Sequence, residues 1–161
     1  MKNTTTADLC DNNQDKKIEV LSPGFKNYGG KKILKGIAKT IKLDKSNWDL
    51  IDILKNEKGK GIILIVDVQE SFFGVIGDKL SLLAQEAEYE GFIVNGYVRD
   101  TNETKKFNIA LYALGTCPLR NFEKTKSKRK IDLSFGNVNF KEGDYVYCDD
   151  DGIIVCSEQL I

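Results

Sequence analysis

The sequence predicts an α/β fold, with a parallel βαβ core followed by antiparallel strands. Three observations predict it. Residues 61–68 and 91–99 are largely continuous apolar runs, the pattern of strands buried on both faces. Between them Leu80, Leu83, Ala84 and Ala87 recur at i, i+3, i+4 and i+7, which predicts a helix over 79–90 with one apolar face. Beyond residue 130 that rhythm gives way to short segments at hairpin spacing.

The elements follow in chain order. Thr5 or Thr6 caps a short helix over 7–10. Residues 18–21 read as a strand, and turns follow at Ser22-Pro23-Gly24 and at Asn27-Tyr28-Gly29-Gly30. Residues 33–43 are mostly extended. Ser46 or Asn47 caps a helix carrying Trp48, Leu50, Ile51 and Leu54, which Gly59 ends. After the first buried strand comes a linker to Gly77, then the helix over 79–90 and the second buried strand. Asp100 opens a short helix to Phe107, and residues 109–114 form a third strand. Strand-helix-strand-helix-strand is the order of parallel units joined by right-handed crossovers. Residues 121–130 are a basic polar loop. Short strands then occupy 131–135, 137–140, 144–148 and 152–156, with Asp149-Asp150-Asp151-Gly152 turning between the last two. No internal repeat or low-complexity linker interrupts the chain, so a single domain over 1–161 is expected.

Composition narrows the chemistry. Lys+Arg and Asp+Glu are both 24, so the net charge is zero and bulk charge gives no support to polyanion binding. No apolar run approaches the roughly 20 residues that span a bilayer, and residues 1–11 lack the apolar stretch of a signal peptide. Cytoplasm is the expected location, with no membrane and no direct nucleic-acid partner. The four cysteines form no Cys-x-x-Cys pair and are expected to be reduced, Cys117 before Pro118 being the more exposed. Histidine is absent, which removes Ser-His and Cys-His catalysis and the usual zinc sites. A metal here would take oxygen ligands, favouring Mg²⁺, Mn²⁺ or Ca²⁺. No Gly-x-Gly-x-x-Gly joins a strand directly to a helix, so a dinucleotide site is not expected.

The residues that point to chemistry are Asp78 and Arg99-Asp100, each at a strand-to-helix turn. Asp78 has two readings. It is a good N-cap for the helix that starts at Lys79. Equally, the N–H groups of Lys79 and Leu80 at the positive end of that helix can dock a substrate carboxylate, with Gly77 letting it approach. Asp100 also has two readings. Asp100-Thr101-Asn102-Glu103 fits a capping box, and a lone carboxylate is enough for a hard cation that keeps several waters. Arg99 stands at the carboxyl end of a buried strand, the edge where open α/β sheets bind ligands. Its guanidinium fork suits a carboxylate, although a surface ion pair is the plain alternative.

These residues also carry a resemblance. Thr5-Thr6-Ala7-Asp8-Leu9-Cys10-Asp11, residues 23–30, Gly77-Asp78 with Leu80, Asn95-Gly96-Tyr97-Val98-Arg99-Asp100, Ala113-Leu114-Gly115-Thr116 and the run from Gly143 to Val155 match one pattern. By these motifs the chain resembles the RraA family (regulator of ribonuclease E activity A), which includes the class II 4-hydroxy-4-methyl-2-oxoglutarate aldolases. The resemblance implies a β/β/α sandwich of the phosphohistidine-swivelling type and a homotrimer with clefts between neighbouring subunits. It places substrate contacts on Gly77, Asp78, Lys79, Leu80 and Arg99, and the ligand of a divalent metal (Mg²⁺ or Mn²⁺) on Asp100. The implied reaction cleaves the C3–C4 bond of a small 2-oxo acid through a pyruvate enolate, with Asp78 and Arg99 as catalytic residues and oxaloacetate decarboxylation as a side activity. The alternative it implies is a non-catalytic inhibitor of ribonuclease E, for which Glu86, Glu88 and Glu90 offer acidic contacts. Two departures from the family pattern stand out: Val68 to Phe73 where glycines are usual, and Asn102 where an acid is common. An older name in the family is menaquinone methyltransferase, but the chain shows no glycine loop of the S-adenosylmethionine-binding kind.

Overall fold

A computed structural model describes residues 4–161; Met1, Lys2 and Asn3, part of the expected domain, lie outside the described residues. Helix α1 (Thr6–Asn12) begins with a capping box, in which the Thr5 hydroxyl accepts from the Asp8 N–H and the Asp8 carboxylate accepts from the Thr5 N–H. Strands β1 (Ile18–Val20), β2 (Lys26–Asn27) and β3 (Leu34–Lys42) precede helix α2 (Trp48–Asn56). The central unit is β4 (Ile62–Asp67), β5 (Gly74–Ile76), α3 (Asp78–Glu86), β6 (Gly91–Val98), α4 (Thr101–Thr104) and β7 (Ala110–Thr116). The chain closes with β8 (Lys128–Arg129), β9 (Leu133–Phe135), β10 (Val138–Phe140), β11 (Tyr145–Asp149) and β12 (Gly152–Cys156).

The expected parallel core is present: β3, β4, β6 and β7 run parallel and adjacent. The expected antiparallel strands extend it through β11, β12 and β1, and β2 closes the other edge antiparallel to β7. Strands β9 and β10 form a separate hairpin. Successive side chains on a strand point to opposite faces, and the central strands show it. Leu64 and Val66 of β4, Phe92 and Val94 of β6, and Leu111 and Ala113 of β7 pack with Leu50 and Leu54 of α2 and Leu80 and Ala84 of α3. Their neighbours Ile63, Ile65, Ile93 and Ala110 pack on the other face with Leu133, Phe135, Val138 and Phe140 of the hairpin. The result is a hairpin layer, a sheet layer and a helix layer, the mixed α/β sandwich that the family resemblance implied. Burial on both faces explains why these strands read as continuous apolar runs. Each Leu, Ile or Phe so buried is worth roughly 1.5–3 kcal/mol.

Several local expectations are corrected. Residues 74–76, expected in a linker, form β5, because Gly74 and Ile76 pair in parallel with Tyr97 and Val98. Part of the basic loop is strand: β8 pairs antiparallel with Ile41 and Lys42, and Arg129 donates to both Glu57 carboxylate oxygens at 2.7 and 3.0 Å. The helix expected over 79–90 ends at Glu86. Its end is a Schellman motif: Glu88 turns left-handed (φ 67°), its N–H donates to the Gln85 carbonyl and that of Tyr89 to the Ala84 carbonyl. Cys117, expected to be the more exposed thiol, is buried, and all four cysteines are free.

The two ends of the fold are tied by Asp149. Its carboxylate accepts from the N–H and the hydroxyl of Thr6, both at 2.7 Å, and from the Asp151 N–H at 3.0 Å. Burial opposes its charge, but these hydrogen bonds win and hold its carboxyl below the ordinary carboxylate range. A folded pKa below the unfolded value of about 3.9 gives stability that is full above that pH and lost as pH falls through the lower folded value. Asp149→Ala is therefore expected to cost about 2 kcal/mol at neutral pH. In urea denaturation across pH, the gap between variant and wild type should narrow below about pH 4; a gap independent of pH would refute the clamp's charge dependence.

Candidate functional site

The expected site residues meet where β5 runs beside the carboxyl end of β6. The Arg99 N–H donates to the Ile76 carbonyl at 2.9 Å, which fixes the start of the turn. Two glycines then allow close approach. A Cβ on Gly74 would lie 2.3 Å from the Cys117 carbonyl oxygen and 3.0 Å from both Cβ and Cδ of Arg99. A Cβ on Gly77 would lie 2.3 Å from Asp100 Oδ2. Only residues without side chains let the Arg99 stem and the Asp100 carboxylate lie against this segment.

Asp100 occupies the N-cap position of α4 in the left-handed conformation (φ 55°, ψ 36°) and makes no side-chain capping bond. The expected capping box with Glu103 is therefore absent. A capping side chain needs extended backbone at the N-cap, and here the Glu103 and Thr104 N–H groups are met by the Asp100 main-chain carbonyl at 2.9 and 3.0 Å. The carboxylate is left facing Gly77 and Arg99, with Oδ2 3.7 Å from Arg99 Nε and the side chain 41% exposed. Arg99 Nη1 donates to the Pro118 carbonyl at 3.3 Å.

Asp78 is also displaced from its expected role. The N-cap of α3 is Gly77, and Asp78 is the first helical residue. Its Oδ1 accepts from the Lys79 N–H at 2.8 Å. One of the amides expected to receive a substrate anion thus carries the chain's own carboxylate, which an incoming anion has to displace. Leu80 is buried with its side chain in the core, so it can contribute only backbone to a ligand, whereas Lys79 is exposed. All six expected residues (Gly77, Asp78, Lys79, Leu80, Arg99 and Asp100) are thus gathered at one strand-end turn pair. They lie apart from the larger concavities of the surface, about 610 Å³ around Lys26 and Tyr112 and about 660 Å³ around Ile33 and Tyr147.

One polar pair escaped the sequence reading. Asn95 donates to Asp67 Oδ1 at 2.9 Å, both residues being buried, and the same oxygen accepts from the Gln69 N–H at 2.8 Å. This pair supports the turn after β4, where Gln69 and Glu70 adopt left-handed backbone (φ 52° and 59°), the region that glycine enters most easily. The available signal was a lone acid closing an apolar strand. Of the acidic residues considered for partner contact, Glu86 and Glu88 are exposed, but Glu90 is ion-paired with Lys31.

Fold and site together define a layered α/β protein with an arginine–aspartate pair at a parallel strand's carboxyl end. The chain belongs to the RraA-like family (Aldolase/RraA), whose model matches residues 6–155. A Bacillus cereus protein provisionally named 4-hydroxy-4-methyl-2-oxoglutarate aldolase is 38% identical over 156 residues, covering 96% of this chain and 97% of its own. One from Aromatoleum aromaticum with the same provisional name is 34% identical, covering 97% and 98%. Among solved structures, the RNA-processing inhibitor RraA from Thermus thermophilis superposes with a TM-score of 0.90 at 30% identity, covering 98% of this chain and 94% of that one. A Geobacillus kaustophilus protein described as an S-adenosylmethionine:2-dimethylmenaquinone methyltransferase also reaches 0.90, at 35% identity over 99% and 97%.

Gly77→Ala is expected to force either the α3 start or the Asp100 carboxylate to move, at a cost of about 1–3 kcal/mol. Thermal unfolding reads the cost, and an unchanged Tm would contradict the close approach.

Proposed function

We propose that this chain is a divalent-metal-dependent 4-hydroxy-4-methyl-2-oxoglutarate aldolase, with oxaloacetate decarboxylation as a side activity. The observation that carries the reading is Asp100: a carboxylate released from capping, exposed, and set beside a guanidinium. Among the described residues no group of three or more His, Cys, Asp or Glu side chains could hold a metal ion. Asp100 offers a cation a single exposed carboxylate. That donor set fits Mg²⁺ or Mn²⁺, hard cations that accept one or two carboxylates and complete their shell with water and substrate oxygens. When bound, the cation supplies Lewis-acid stabilisation of the negative charge that develops on the 2-oxo acid.

The chain's own residues do the rest. Arg99 pairs with the substrate carboxylate and opposes the charge growing at the adjacent 2-oxo group. The α3 start at Gly77 to Leu80 contributes backbone N–H groups and a positive dipole end, once the Asp78 carboxylate gives up the Lys79 N–H. Asp78, so freed, positions the water that moves the proton. The family resemblance adds a homotrimer with this turn pair facing a cleft between subunits; among the described residues no helix is long and apolar enough to cross a membrane.

Purified protein with Mg²⁺ or Mn²⁺ should release pyruvate from 4-hydroxy-4-methyl-2-oxoglutarate and from oxaloacetate, and EDTA should stop it. Asp100→Ala should lower kcat by about 100-fold or more while circular dichroism stays native. Full activity in that variant would remove the metal assignment.

A second reading, a non-catalytic inhibitor of ribonuclease E, is favoured by the likeness to the Thermus RNA-processing inhibitor. Exposed Glu86 and Glu88 suit an arginine-rich partner segment. Capture of a ribonuclease E tail at low salt, weakened by Glu86→Lys, is the expected result; no capture at low salt would end this reading.

A further inference from the structure

We propose that Asp67 and Asn95 are positioning residues for Arg99: the pair pins the junction where the strand pairings around β6 change register, and so sets where the guanidinium stands. The purpose of that aim rests on the aldolase reading. Strand β4 pairs with β6 in unbroken parallel register from Ile63 and Gly91 to Asp67 and Asn95, the last pair. Just beyond it the ladders slip. Strands β6 and β7 pair regularly as far as Val94 and Ala113 and resume at Tyr97 and Gly115, so β6 carries one residue more than its partner. Strand β5 then pairs with β6 through Gly74 and Tyr97, and through Ile76 and Val98, so here β5 carries the extra residue. Irregularities of this kind re-aim the side chains that follow them. Pairing alone therefore leaves the aim of Arg99 to be fixed by something else.

The buried pair supplies it. Asp67 Oδ1 accepts from Asn95 Nδ2 at 2.9 Å and from the Gln69 N–H at 2.8 Å. The Asn95 carbonyl accepts from the N–H groups of Val68 at 3.4 Å and Glu70 at 3.3 Å. The left-handed turn at Gln69 and Glu70 thus hangs on one residue of β6 by both its side chain and its main chain. A Cβ on Gly96 would lie 2.2 Å from Val68 Cγ2, so the turn lies directly against the strand that leads to Arg99. Residues 68–73 then join this anchor to Gly74, against which the Arg99 stem packs. Asp67 and Asn95 are 8% and 7% exposed, so these bonds are made inside the protomer and need no neighbouring subunit.

Two variants separate aim from mere support. Asn95→Asp sets two carboxylates on the 2.9 Å bond. They keep the bond while they share a proton and repel once it leaves, so the aim is held at low pH and lost as pH rises. Lys42, Glu70 and Asp132 are the charged groups lining the same recess; the two acids reinforce the repulsion and the lysine opposes it. Asp67→Asn is the control. Its amide oxygen can accept both bonds, and the Oδ2 it replaces takes none among the described residues.

The first readout is kcat/KM for oxaloacetate with Mn²⁺, relative to wild type at each pH. Asp67→Asn is expected to stay within about twofold throughout. Asn95→Asp is expected within about threefold at about pH 5 and lower by about 10–100-fold at about pH 8. The second readout needs neither metal nor substrate. The arginines are Arg99, Arg120 and Arg129, so the Arg99 Nε–Cζ correlation in a carbon-detected NMR spectrum is assigned by its loss in Arg99→Lys. It should move between those two pH values in Asn95→Asp and not in Asp67→Asn, with circular dichroism native throughout. If Asn95→Asp does not fold, Asp67→Glu, which lengthens the acceptor arm by one methylene, should displace the same correlation at both pH values. An unmoved Arg99 correlation in the folded variant, or a loss of activity that only tracks unfolding, would overturn the inference and leave the aldolase reading standing. A correlation that moves as expected in a protein whose wild type releases no pyruvate would uphold the aim and remove the aldolase reading.

Discussion

The close approach of β5 to the carboxyl end of β6 is the constraint on which the rest depends. Attraction between Arg99 and Asp100 does not create the site. At 3.7 Å, with both side chains partly exposed, that pair is worth at most about 1 kcal/mol. The left-handed backbone of Asp100 costs about as much or more. What holds it is the main chain: Arg99 bonded to Ile76 on one side, and the Asp100 carbonyl accepting from the Glu103 and Thr104 N–H groups of α4 on the other. Gly74 and Gly77 make that arrangement sterically possible.

The scaffold below is rigid for an ordinary reason. Each central strand is buried on both faces, by α2 and α3 on one side and by the β9–β10 hairpin on the other. The Asp149–Thr6 clamp then ties the first helix to the last hairpin, so the ends of the described chain belong to the same structure. On such a base a short turn can hold two charged side chains in an open position without a deep cavity of its own.

Much of this was legible in the sequence, and the failures share a cause. The parallel strands and the apolar faces of α2 and α3 declare themselves by local periodicity. Strands β5 and β8 do not, because each is two or three residues long and exists through pairing with residues distant in the chain, Tyr97 and Val98 for one, Ile41 and Lys42 for the other. Asp100 shows the same conflict at a single residue. Its local motif favours a capping box, and packing against Gly77 overrides that preference. The end of α3 was overshot because the apolar spacing continues to Ala87, while Glu88 takes the left-handed position more often filled by glycine. Strand-end acids beside glycine are visible in the letters, so the turn pair that brings the six expected residues together could be read locally. The Asp67–Asn95 support was not, since a lone acid closing an apolar strand does not reveal the partner it meets on the neighbouring strand.

The central claim is that Asp100, freed from capping, is a cation ligand that works with an oxo acid held by Arg99. Titration of Mn²⁺ by electron paramagnetic resonance, with pyruvate present, tests it most directly. The account predicts saturable binding to the wild-type protein that weakens without pyruvate and disappears in Asp100→Asn. Binding of equal affinity in that variant, or none in the folded wild type at millimolar Mn²⁺ and pyruvate, would contradict it.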